Sequence, residues 1–141
     1  SGTEANECMI KMARKYGVDN FGPERYHIIT AKHGFHGRTY GAMSATGQPD
    51  NAIQMGFKPM LPGFDYAEYN NLEDFKSKVT ENTIAIMIEP VQGEVVCILQ
   101  HRNSLKDFVN YVMKKICYSC LMRFRQDGDV PEHRWHTWDM A

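Results

Sequence analysis

Five consecutive apolar residues, Ile84-Ala85-Ile86-Met87-Ile88, constrain this chain more than anything else in it. A strand with one face in water alternates polar and apolar residues, whereas an unbroken run has both faces covered. Strands of that kind belong to parallel sheets, in which the connecting helices lie on both faces. The rest of the chain supplies helices and strands in alternation, so the expected class is α/β, with a mixed and mostly parallel sheet.

Upstream, a helix is expected over residues 3–16. Ala5, Cys8, Met9, Met12, Ala13 and Tyr16 recur at three- and four-residue spacing and share one face. Thr3 is the expected cap, Glu4 and Glu7 suit the first turns, and Gly17 is the expected end. Residues 25–31, with Tyr26, Ile28, Ile29 and Thr30, read as a strand, and residues 38–45 as a short helix. The Gly- and Pro-containing stretch 48–63 reads as loop. Residues 71–79 read as a short helix capped by Asn71. No repeat or low-complexity segment interrupts this order.

The chain has 141 residues and a net charge of −1, a balance that points to neither nucleic acid nor an anionic membrane as partner. No apolar run approaches the roughly 18 residues of a membrane helix, and no signal-peptide pattern opens the chain. The four cysteines, Cys8, Cys97, Cys117 and Cys120, are too few and too uneven for a secreted disulfide framework. A cytoplasmic fragment of a larger protein is the expectation, and the first residue, Ser1, already reads as the interior of one.

Three short stretches carry chemistry. Ser1-Gly2-Thr3-Glu4-Ala5-Asn6 opens a helix with small residues. Such a start either caps itself or holds a phosphate on its free N–H groups, with the helix dipole in support. Gly34-Phe35-His36-Gly37-Arg38-Thr39 follows the first strand. Its aromatic pair can stack on a planar ring and its arginine can grip a carboxylate in a two-pronged pair, or Phe35 is core and Arg38 a surface charge. Glu89-Pro90-Val91-Gln92-Gly93-Glu94 leaves the apolar strand at its carboxyl end, where open α/β sheets bind ligands. An ordinary strand exit would look the same.

Taken together and in order, SGTEANECMIKMARKYG, ITAKHGFHGRTYGAMSATGQ, GFKPMLPGF and TIAIMIEPVQGE closely resemble the acetylornithine/ornithine branch of the class III pyridoxal phosphate (PLP) aminotransferases. The resemblance implies the large domain of a type I PLP-dependent transferase, a homodimer with its site at the subunit interface, and PLP as cofactor. It implies transfer of the amino group of N-acetylornithine to 2-oxoglutarate, in arginine biosynthesis, with succinylornithine, ornithine or 4-aminobutyrate as related amino donors. Carried over by position, Gly2 and Thr3 match the pair whose backbone binds the PLP phosphate. Phe35 and His36 match the aromatic pair lying against the cofactor ring, and Arg38 the arginine that contacts the substrate carboxylate. Glu94 matches a glutamate on the substrate side, and Glu89 is read as structural. Ornithine aminotransferases usually carry Trp at the position of His36, so His36 with Ser44-Ala45-Thr46-Gly47-Gln48 favours the acetylornithine side.

The resemblance covers residues 1–94 and then stops. Ten of the eleven glycines precede Val95, and both tryptophans, Trp135 and Trp138, follow it. The family's Asp-Glu-Val-Gln, whose aspartate pairs with the PLP ring nitrogen, and its cofactor-anchoring lysine are missing. A slipped reading frame accounts for this. With suitable synonymous codons, the frame that opens at the third base of the Cys97 codon spells YPATQEFLKGL and continues to Leu-Leu-Asp-Glu-Val-Gln. Residues 95–141 are therefore expected to be an out-of-family tail, poorly ordered, and the chain as it stands inactive. Cys117, Cys120, His133 and His136 imitate a zinc finger, but the gap between the histidines is short and no metal is expected. Residues 1–94 being a slice of a domain, the first helix and the strand 84–88 are expected to expose apolar faces and to aggregate.

Overall fold

The computed structural model describes residues 1–89, 91–93, 98–99 and 118–121. Helix α1 runs Gly2–Phe21. Ser1, not Thr3, caps it in a capping box with Glu4, and it ends five residues later than expected, at Gly22 with φ 107°. Gly17 lies inside the helix. A Cβ there would sit 2.0 Å from the Arg25 carbonyl oxygen and 3.0 Å from Ile84 Cγ1, so glycine lets α1 lie directly against the sheet.

That approach selects a different face from the one the periodicity picked. Asn6, Ile10, Ala13 and Gly17 point inward, whereas Ala5, Cys8 and Met12 are exposed. The helix carries two apolar stripes, and the one ending in Ala13 and Gly17 is the one slim enough to reach the strands.

Strand β1 (His27–Ala31) pairs in parallel with β2 (Phe64–Ala67) on one side and β3 (Thr83–Ile88) on the other. Strand β6 (Tyr118–Leu121) adds in parallel to β3, giving the order β2-β1-β3-β6. A two-residue antiparallel pair, β4 (Val91–Gln92) with β5 (Ile98–Leu99), stands apart. Helix α2 (Tyr40–Ala45) follows β1, and α3 (Leu72–Lys78), capped by Asn71 as expected, leads into β3.

Every residue of β3 is buried. Ile86 and Ile88 pack with Ile29, Ala31, Ala67 and Phe75 on the α3 side, while Ala85 and Met87 pack with Ile10, Ala13 and Ala45 on the α1 side. The sheet is thus covered on both faces, as the apolar run requires, and the expectation of an exposed strand is corrected. Strand β2 had no counterpart in the sequence reading. Its Phe-Asp-Tyr-Ala sequence buries only Ala67 fully. Among the described residues no helix is long and apolar enough to cross a membrane. Glu94, Cys97, Cys117, His133, His136 and both tryptophans lie outside the described residues.

Candidate functional site

Parallel pairing brings the carboxyl ends of β1 and β3 to one edge, and the loop leaving β1 folds over it. His33 at φ 60° and Gly37 at φ 130° turn the loop. Glu89, the first residue after β3 and only 4% exposed, receives it. One carboxylate oxygen of Glu89 accepts the Phe35 N–H at 3.0 Å. A Cβ at Gly34 would lie 2.9 Å from that same oxygen. The Tyr69 hydroxyl donates to the Glu89 carbonyl at 2.8 Å, and burial holds that phenol above its usual range. Gln92 and Gln48 complete the tether, donating to the carbonyls of Lys32 at 2.8 Å and Gly34 at 3.2 Å.

The two aromatic residues part company here. Phe35 is half-buried, with the Arg38 guanidinium 6.0 Å from its ring centre. His36 is 1% exposed. Its N–H donates to Thr46 Oγ1 at 3.0 Å and its carbonyl accepts from Asn6 Nδ2 at 2.6 Å. Both ring nitrogens of His36, and Oδ1 of Asn6, have no hydrogen-bond partner among the described residues. Burial lowers the imidazole pKa from 6.5 to about 4, so the ring is neutral at physiological pH.

The start of α1 meets this loop directly. A Cβ on Gly37 would sit 2.5 Å from Thr3 Oγ1, so only glycine admits the contact. Gly2, Thr3, Phe35, His36 and Arg38 therefore come together at one edge, with Gly2 and Arg38 exposed. Glu89, Gln92, Asn6 and Thr46 are the residues that sequence reasoning undervalued. Glu89 and Gln92 were visible in the sequence as the strand exit, and Asn6 as a polar residue four before Ile10 on the buried stripe. Among the described residues no group of histidine, cysteine and acidic side chains is placed to hold a metal.

A planar ring bearing a phosphate fits what is present. The N–H groups of Gly2 and Thr3, in the first turn, have no acceptor within their own helix. Gly2 adds no side chain to obstruct an anion. Phe35 offers a half-buried ring two residues before Gly37, where the Thr3 side chain meets the loop.

This α/β sheet, with a small-residue helix start and an aromatic loop at its carboxyl edge, shares the fold of type I PLP-dependent transaminases. The structure superposes on an omega-transaminase from Thermomicrobium roseum at TM-score 0.77 and 27% identity, over 86% of this chain and 31% of that one. It also superposes on the ornithine aminotransferase of Toxoplasma gondii at TM-score 0.74 and 28% identity, over 87% and 29%. The model of the family described as aminotransferase class-III matches residues 1–117. The chain belongs to that family, whose cofactor is PLP. Curated relatives named acetylornithine aminotransferase, from Listeria innocua and Caldanaerobacter subterraneus, are 53% and 51% identical over 94 residues. Those 94 residues are 67% of this chain but only 22% and 23% of the relatives.

Proposed function

We propose that the protein to which this chain belongs transfers the amino group of N-acetylornithine to 2-oxoglutarate, as a homodimer in the cytoplasm, in arginine biosynthesis. The contact of Thr3 with Gly37 carries the reading, because it sets the helix start and the loop 35–38 against each other at the carboxyl edge of the sheet. When bound, the cofactor would supply an aldehyde able to carry an amino group and an electron-withdrawing ring. The residues of this chain do the holding. The Gly2 and Thr3 N–H groups donate to the phosphate oxygens. Phe35 lies against the ring, and buried His36 backs the loop as a neutral group. Arg38, exposed and half over Phe35, binds the substrate carboxylate in a two-pronged pair. Glu94, outside the described residues, is given a substrate-side role by the resemblance alone.

Residues 95–141 are read as a tail translated out of frame. The family match to residue 117 and the structural likeness both run past residue 94. Identity to the curated relatives, by contrast, spans 94 residues. In the restored frame the aspartate of Asp-Glu-Val-Gln spans the codons of Leu121 and Met122. Leu121 ends β6 and pairs with Ile88, one residue before Glu89. The register Ile88↔Leu121 is compatible with that reading.

Two experiments test this. The nucleotide sequence around the Glu94 codon should show one base missing relative to a frame that spells the aspartate strand; a continuous frame with no such alternative overturns the tail reading. The full-length protein, with the frame intact, should form glutamate from N-acetylornithine and 2-oxoglutarate. Succinylornithine, ornithine and 4-aminobutyrate are the comparison donors, and silence with all four overturns the transaminase reading. The 141-residue chain itself should show no turnover, and no lysine should be trapped as a PLP adduct by borohydride.

A further inference from the structure

We propose that Glu7 is a positioning residue: its carboxylate clasps the start of α2 and thereby holds Arg38 at a fixed place relative to the first turn of α1. The inference rests on the reading of Arg38 as the substrate-carboxylate grip.

Thr39 is the N-cap of α2, yet its side chain makes no cap hydrogen bond to its own helix. Its hydroxyl donates instead to Glu7 Oε1 on α1. The same oxygen accepts the Ala42 N–H at 3.0 Å. The acceptor that a helix normally finds in its own N-cap residue is here lent by another helix, as a charged group at the positive end of the α2 dipole. Gly41 makes room for it: a Cβ there would lie 2.4 Å from Glu7 Oε2.

Thr3 lies one turn before Glu7 on the same face of α1 and touches Gly37. The backbone is thus pinned to α1 on both sides of Arg38, by Thr3 at Gly37 and by Glu7 at Thr39 and Ala42. Arg38 has no ion pair among the described residues, so its side chain is directed by this bracketed backbone and the Phe35 ring. Misplacing such a grip by about 1 Å costs up to roughly a hundredfold in productive binding. Glu7 therefore acts on the substrate carboxylate through Arg38 without touching it.

The test uses the full-length protein with Glu7→Ala, Glu7→Gln and Thr39→Val. Two donors are compared, N-acetylornithine and N-acetylputrescine, which differ only in the carboxylate. Calorimetry with glutarate, a dicarboxylate that cannot react, gives a second readout. Glu7→Ala should raise KM for N-acetylornithine and Kd for glutarate about tenfold, with kcat and the N-acetylputrescine KM within about twofold. Glu7→Gln keeps an acceptor oxygen and should stay within about threefold of wild type, and Thr39→Val, the milder lesion, should fall between. Equal losses for both donors, or no loss with Glu7→Ala, overturn the proposal. If Glu7→Ala does not fold, Thr39→Val and Glu7→Gln decide by the same two ratios. If the wild type turns over neither donor, the transaminase reading fails alone and the glutarate ratio still judges the clasp; a wild type that does not bind glutarate overturns it.

Discussion

At the scale of single residues, His36 has the sharpest physical consequence. Its imidazole is buried with neither nitrogen paired among the described residues, and its pKa falls from 6.5 to about 4. A group whose folded pKa is depressed contributes stability above its unfolded pKa and loses it as pH falls through the window between the two. Folding should therefore weaken between about pH 6.5 and 4, by roughly 3 kcal/mol from this residue alone. Urea unfolding across that window should show the loss in wild type and a flatter profile in His36→Phe; parallel profiles would dissociate the pH response from His36. Sequence put His36 in the site but could not say that it faces inward. Its neighbour Phe35 is chemically similar, and what separates them is the Thr46 and Asn6 hydrogen bonds to the His36 backbone, contacts from 10 and 30 residues away.

At the scale of elements, α1 shows what periodicity can and cannot decide. Its existence was legible, because helical spacing of apolar residues and a capping box both point to it. Its buried face was not, because two stripes qualify and the choice is made by the backbone of Arg25. Gly17 is the residue on which that choice turns. In an exposed helix, Gly→Ala stabilises by about 1 kcal/mol through propensity. Here the added methyl would meet a carbonyl oxygen at 2.0 Å, so the sign reverses and α1 must move off the sheet. Gly17→Ala should destabilise the chain by about 1–3 kcal/mol, the usual cost of overpacking, measured as a shift in the chemical-denaturation midpoint. A midpoint that rises would mean that α1 is not held against β1 and β3 in this way. Strand β3 was legible for the opposite reason: a run apolar on both faces has only one kind of home. Strand β2 escaped notice because an edge strand with one fully buried residue carries almost no pattern.

At the scale of the whole molecule, the question is where the missing three-quarters of the relatives' length would sit. The sheet no longer asks for it: β3 is covered by α1, α2 and α3 and flanked by β1 and β6. What remains open are two apolar stripes of α1, Cys8 with Met12 on one side and Val18 with Phe21 on another, Met12 and Phe21 being 47% and 48% exposed. A second patch lies on the loop held against α2, at Met55, Phe57 and Leu61. Monomeric domains rarely leave such stripes uncovered. Association of the 141-residue chain should therefore proceed through α1 rather than through sheet edges. Met12→Lys with Phe21→Lys should lower light scattering and dye binding of the isolated chain severalfold, while its unfolding free energy moves by no more than about 0.5 kcal/mol per site, as for surface positions. If the double variant aggregates as readily as wild type, the exposed α1 residues are not the cause.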